Sequence, residues 1–277
     1  MHWLIDPFEV SFVRRALIAG ILVAVLCALA GTWVVLRGMA FLGDAMSHGM
    51  LPGVATAALL GVHPMIGAAV SAGAMAVGVT ALTPIKRLSH DATIGLIFVG
   101  MLSIGVIVVS RSQSFAVDLT AFLFGDVLAV RDSDIVVLLV ALAAATAVAS
   151  LGHRAFVALT FDRRVAHTIG LRPALANGPL IGLVTLAIVA SFHIVGTLLV
   201  FGLLIAPPAA ALLWADSITT VMAGAAVVGT AATTVGILVS WHVGTAAGAT
   251  IAATAVGIFA LSALTAHLFR PKATASQ

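Results

Sequence analysis

From Ser217 to Phe269 the chain contains no Asp, Glu, Lys or Arg. A helix needs about 20 apolar residues to cross a hydrocarbon core, so this stretch is long enough for two crossings. Lipid offers no partners for backbone N–H and C=O groups, which leaves helices or a closed barrel. The apolar runs are far longer than barrel strands of about 10 residues and lack strict alternation, so helices are predicted. The whole sequence agrees: 62% of its 277 residues are hydrophobic and 8% charged, with a mean hydropathy of +1.22. Soluble domains carry about 25% charged residues.

Hydropathy, Pro and charge punctuation predict apolar segments at 12–36, 40–61, 64–84, 92–110, 116–130, 132–151, 175–195, 197–214, 217–240 and 243–269. The fold class is therefore all-α, a polytopic transmembrane bundle of roughly eight to ten helices forming one membrane domain over 1–277. Segment 116–130 carries Asp118 and Asp126, and 197–214 contains Pro207 and Pro208, so both read as half-helices, re-entrant pieces or tilted spans. Ala28-Leu29-Ala30 imitates a signal-peptide cleavage site, but the apolar run continues to Leu36, which marks an uncleaved first helix. The tail at 271–277 is expected to be disordered. Cys27, the only cysteine, lies inside the first run, which excludes a disulfide framework or thiolate metal cluster.

The formal charge of +3 comes from 13 basic residues scattered over loop positions, so it serves membrane orientation rather than nucleic-acid binding. The longest polar interruption, Gly152 to Pro173, holds Arg154, Arg163, Arg164 and Arg172 against one acid, Asp162, and is placed in the cytoplasm. Ten crossings then put both termini inside, with Arg14 and Arg15 at one end and Arg270 and Lys272 at the other. Lys86 and Arg87 become an exception on the outside. Gly178/Gly182 and Gly244/Gly248 have the small-xxx-small spacing that lets helices pack closely in lipid.

Within the cytoplasmic interruption, Asp162 is a good N-cap, Gly170 a good C′ residue, and Pro173 stops continuation. The spacing predicts a helix over 162–170. Val165, Ala166 and Ile169 share one side while Arg163, Arg164 and His167 point elsewhere. This suits either insertion into a groove on another protein or a surface helix facing lipid headgroups. The chain has no G-x-x-x-x-G-K-[ST] phosphate loop, and its only lysines are Lys86 and Lys272. Any ATP hydrolysis must come from a partner. Nothing resembles H-E-x-x-H or G-x-S-x-G, so the chain is not read as an enzyme.

Asp44, Ser47 and His48 sit three and four residues apart on one predicted helix face, and Asp and His are zinc ligands. A carboxylate inside a span costs about 2.5–3.5 kcal/mol on insertion scales and usually faces a bundle interior or an aqueous path. The trio therefore either lines a route with transient metal contacts or braces the first helices. No closed high-affinity metal site is expected, since it would trap the cargo. His193, just before a predicted break at Gly196, could supply a second imidazole or serve as an interhelical donor. His63, His90 and His242 near span ends read as interfacial, as do Trp3, Phe8, Trp33, Trp214 and Trp241. Asp118, Asp126, Asp132 and Asp134 read as caps or gates.

Several of these segments, taken in order, resemble the permeases of metal-transport ABC importers. They are Gly43-Asp44-Ala45-Met46-Ser47-His48-Gly49-Met50-Leu51-Pro52-Gly53, Ala92-Thr93-Ile94-Gly95, Phe124-Gly125-Asp126, Phe161-Asp162 with Ala166 and Ile169-Gly170-Leu171, Val195-Gly196-Thr197-Leu198-Leu199-Val200, and Leu203 through Ala211. The resemblance covers roughly 30–265 and is carried by the ordered combination. It implies a homodimer in the bacterial plasma membrane, two cytoplasmic ATPase subunits on the coupling helices, and an external metal-binding protein. The architecture is similar to that of cobalamin and siderophore importers. It implies alternating access, with a transported divalent metal but no cofactor held by this chain. Nine histidines and the Asp–His pair favour zinc over manganese or iron as cargo. A gradient-driven carrier or channel without an ATPase is the reading from another class.

Overall fold

A computed structural model describes residues 6–7, 9–83, 89–110, 125, 127–161 and 173–269, and all helices below belong to these residues. The order is α1 (Ser11–Leu36), α2 (Ala40–Gly49), α3 (Leu51–Leu59), α4 (Pro64–Leu82) and α5 (His90–Ser110), followed by a short 3-10 turn at Val127–Ala129. Then come α6 (Asp132–Phe161), α7 (Pro173–Leu212), α8 (Ile218–Val243) and α9 (Ala247–Phe269). Seven of these helices or their limbs are long and apolar enough to cross a membrane, and Asn177–Phe192 is a shorter apolar helix. The expected segment 40–61 is two helices meeting at Met50. Pro52 explains the break: it has no N–H to give the carbonyl of His48, which the Met50 N–H takes up instead.

Gly196 divides α7 into two limbs. Its φ of 72° and ψ of 164° lie where only glycine is comfortable, and a Cβ at Gly125 would collide with this same backbone. Contacts along α1 give the directions of the other helices. Trp33 meets Phe156 while Arg15 pairs with Asp132, so α6 runs parallel to α1. Arg37 bonds Asn177 near the start of α7, whereas Gly31 abuts Leu204 and Pro208 near its end, so both outer ends of α7 lie level with the C-terminal end of α1. Ala24 packs on Gly229, Gly20 on Thr233 and Phe12 on Trp241, which makes α8 antiparallel to α1. His63, Asp134 and Ile194 border one cavity, which puts the α3–α4 connection, the start of α6 and the break in α7 at the opposite end.

These pairings correct the expected topology. The segment 116–130 lies outside the described residues except for Gly125 and the turn at 127–129 with Val130. Gly105 of α5 packs at Leu51 and Pro52, so α5 runs parallel to α2 and α3 and ends on the same face where α6 begins. The described helices therefore make an odd number of crossings, and the two ends of the bundle emerge on opposite faces. The end of α4 and the start of α5, which flank Lys86 and Arg87 in the sequence, lie on the face shared by Arg37, Arg154, the end of α6, the start of α7 and the end of α9. Arg14, Arg15 and Arg131 go with the other face. The exception at Lys86 and Arg87 disappears, and the more basic face is the cytoplasmic one. The expected placement of Arg14 and Arg15 inside is overturned.

Two further expectations change. Gly152 through Phe161 is not a loop, because α6 continues through it. At 30 residues this helix is about 45 Å long and projects beyond a hydrocarbon core of about 30 Å. Nor do Gly178 and Gly182 pack against another helix. A Cβ at either would meet nothing, and both line an open apolar groove opposite α4, while Gly244 is the left-handed cap of α8. The close approaches are instead Gly53 on Gly67, backbone to backbone between α3 and α4, and Gly31 on Leu204 between α1 and α7.

Candidate functional site

The residues Arg37 to Met39 turn the chain sharply from α1 into α2, with Gly38 at a φ of 63° and the Met39 N–H donating to the carbonyl of Val34. Asp44 and His48 follow one helical turn apart. The His48 Nε2 lies 3.7 Å from the Asp44 Oδ1, and the two side chains are 31% and 41% exposed, respectively. The His48 ring meets Phe98 of α5 edge-on at 6.0 Å, and Phe98 in turn meets Phe41 at 5.9 Å. Asp44 and His48 lie about 6 and 12 Å along the helix from Ala40, inside the apolar part of the crossing. Ser47 is different. It is buried, and its hydroxyl donates to the Gly43 carbonyl at 3.0 Å, so the expected trio resolves into a half-exposed pair and a buried serine.

α5 is the least buried span, with only 17% of its apolar window inside the chain, and its Leu96, Val99, Ile104, Val106 and Ile107 are exposed. The Asp44–His48 pair thus borders an open apolar flank. Its lateral position explains why Phe41 and Phe98 had no role in the sequence reading, since they stand far apart along the chain and no spacing rule joins them.

At the outer face, His63, Arg131, Ser133, Asp134 and Ile194 line a cavity of about 300 Å³ beside the Gly196 break. His63 Nδ1 accepts from the Met65 N–H and Asp134 Oδ2 from the Arg131 N–H, so both act as caps here, as expected of Asp134. His193 lies in α7 three residues before Gly196, with its side chain outside the described residues. Pro207 and Pro208 belong to the second limb of α7, where Pro208 packs on Gly31. The docking candidates Asp162, Arg163, Arg164, Val165, Ala166, Ile169 and Gly170, and the acids Asp118 and Asp126, lie outside the described residues. Among the described residues, no three His, Cys, Asp or Glu side chains converge as a metal cluster.

A family model described as the ABC 3 transport family matches residues 9–266. The chain belongs to that family. The manganese transport system membrane protein MntC of Listeria monocytogenes is 33% identical to it over 272 residues, covering 98% of this chain and 95% of that protein. The chelated iron transport system membrane protein YfeD of Yersinia pestis is 32% identical over 263 residues, covering 95% and 88%. Among solved structures, PsaBC from Streptococcus pneumoniae in complex with Fab superposes with a TM-score of 0.82 at 32% identity, covering 94% of each chain. This ABC 3 protein is the permease of a metal ABC importer and a multi-pass plasma-membrane protein. Its relatives are membrane permeases rather than ATPases.

Proposed function

We propose that this permease imports a divalent transition metal, manganese first and iron next, as one of two identical copies driven by separate cytoplasmic ATPase subunits and fed by an external metal-binding protein. The observation that carries this reading is the half-exposed Asp44–His48 pair at the edge of the bundle. Lipid would penalise a carboxylate at that depth, so its flank is best covered by a second copy that closes an aqueous route. The apolar surface of α5 beside it supplies the covering contact. Metal would pass by exchanging water for one carboxylate and one imidazole, a set too sparse to trap it.

The choice of metal departs from the zinc preference suggested by the histidines. MntC and YfeD are named for manganese and for chelated iron, and a carboxylate-bearing, water-accessible route suits manganese. Docking of the ATPase is proposed at Asp162 through Gly170, within the connection between α6 and α7 on the basic face. The packed helices would rock as rigid bodies between outward- and inward-open states. The test is uptake of manganese, iron and zinc into proteoliposomes holding the permease with its ATPase and binding protein. ATP-dependent manganese uptake is expected. Zinc uptake alone would change the cargo, and uptake without ATP would replace the importer by a carrier or channel.

A further inference from the structure

Helices α8 and α9 run antiparallel and approach closely toward the outer face, where a Cβ on Gly236 would strike the Ile251 backbone. Toward the cytoplasmic face they part, and a cavity of about 720 Å³ opens between them with Ala211, near the end of α7, as a third wall. Its deeper lining is apolar, with Val227 and Val228 from α8 and Ile258 from α9. From Thr220 to Val228 the cavity follows about 12 Å of helix, leading from the membrane boundary into the hydrocarbon. Its mouth has a different chemistry, because Trp214 and Asp216 stand there in the short connection from α7 to α8. The Trp214 Nε1 donates to the Ser262 Oγ at 2.6 Å, and that hydroxyl donates to the Ala210 carbonyl at 3.4 Å. The indole is thus held by its polar edge while the ring stays 51% exposed. Ser217 and Thr220 are spent on each other as the capping box of α8. Among the described residues, Asp216 is exposed, no ion pair engages it, and no basic side chain lines the cavity.

The geometry points to a binding site for one phospholipid of the inner leaflet whose headgroup carries a primary amine, as in phosphatidylethanolamine. The cavity is apolar in its depth and polar at its mouth, in the order in which a lipid presents acyl chain and headgroup. An unpaired carboxylate at headgroup level attracts an ammonium and repels a headgroup of net negative charge. The fixed indole adds an aromatic face at the same level, where a cation is also attracted. The acyl chain lies against Val227, Val228 and Ile258 and fills the space that α8 and α9 leave where they part. A second copy of the chain is not the occupant. α5 packs on α2, α3 and α4, whereas α8 packs on α1 and both α8 and α9 pack on α7, so the cavity lies away from the flank assigned to the second copy. The bound lipid ties the end of α7 to α8 and α9, whatever the cargo of the route.

The experiment places the full chain, in its native assembly, in nanodiscs of equal parts phosphatidylethanolamine and phosphatidylglycerol, and counts the lipids retained on release by native mass spectrometry. The wild type is expected to retain phosphatidylethanolamine over phosphatidylglycerol by about three- to fivefold. Asp216→Asn should bring that ratio to about one with the melting temperature unchanged, Asp216→Glu should keep it, and Asp216→Lys should reverse it. Val227→Trp, which fills the apolar depth from an exposed position, should cost one retained lipid of either kind. If that variant does not assemble, Val227→Cys blocked with a bulky maleimide after purification fills the same space, since the chain's own Cys27 is buried. A wild-type ratio of about one would overturn the inference. So would a preference that survives both Asp216→Asn and the filling of the cavity, because the lipid would then be held elsewhere. Crosslinking of two permeases through Val227→Cys would give the cavity to a second copy and overturn it too. None of these readouts involves metal uptake, so they stand or fall apart from the importer reading.

Discussion

The second limb of α7 and helix α5 are both apolar spans, yet 72% of the window in one is buried inside the chain and only 17% in the other. The buried limb is packed on α1 so closely that Gly31 leaves no room for a methyl group against the Leu204 carbonyl. α5 keeps five large aliphatic side chains on its open side, and the one carboxylate–imidazole pair of the first spans sits next to it. Hydropathy cannot separate the two, because lipid and a helix interior are equally apolar. What separates them is the polar pair: a span that faces only lipid has no use for a neighbour such as Asp44. The buried helices hold the fold, and the open flank is where function is expected.

The largest effect should come from the buried side. Gly31→Ala puts a Cβ into backbone rather than a movable side chain, so we expect a loss of more than about 3 kcal/mol, read as failure to yield a monodisperse peak or a steep drop in melting temperature. On the open side, Asp44→Asn should cut metal uptake about tenfold, equivalent to about 1.4 kcal/mol, with the melting temperature little changed. Equal losses of uptake and stability would mean the pair only braces α2. The smallest effect is expected at Ser47→Ala, within about 0.5 kcal/mol of wild type and with normal uptake, because that hydroxyl serves its own helix. A transport defect there would show that the route passes behind α2 rather than along its exposed side.

Much of this was readable in the chain itself. Apolar runs between charges marked most helices, though not the split of 40–61 at Met50 or the run of α6 on to Phe161, and Gly196 between Val195 and Thr197 marked the break in α7. The Asp44–His48 spacing marked a pair on one face. Orientation was harder. The assumption that 116–130 crosses the membrane reversed every earlier helix and stranded Lys86 and Arg87 outside. The contacts of α1 with α6, α7 and α8 repaired it because they fix parallel and antiparallel neighbours independently of charge. Ser47 parts from its neighbours in a way that spacing does not show: it is buried, and its hydroxyl is satisfied on the preceding turn by the Gly43 carbonyl. Gly178 and Gly182 had the spacing of a packed seam, but among the described residues no helix packs closely on them. Arg37, Asn177, Trp33 and Phe156 could not be joined by any spacing rule, since the helices that bring them together meet only in the folded bundle.

The most direct test of the central claim is crosslinking at α5. The chain has one cysteine, the buried Cys27, so Val99→Cys introduces a single reactive thiol on the open flank. In native membranes with the assembled importer, a short bifunctional thiol reagent is predicted to link two copies of the permease, and to do so near the Asp44–His48 pair. If the protein stays monomeric while the same cysteine reacts readily with a lipid-soluble maleimide, that flank faces lipid, and the placement of the metal route between two copies is contradicted.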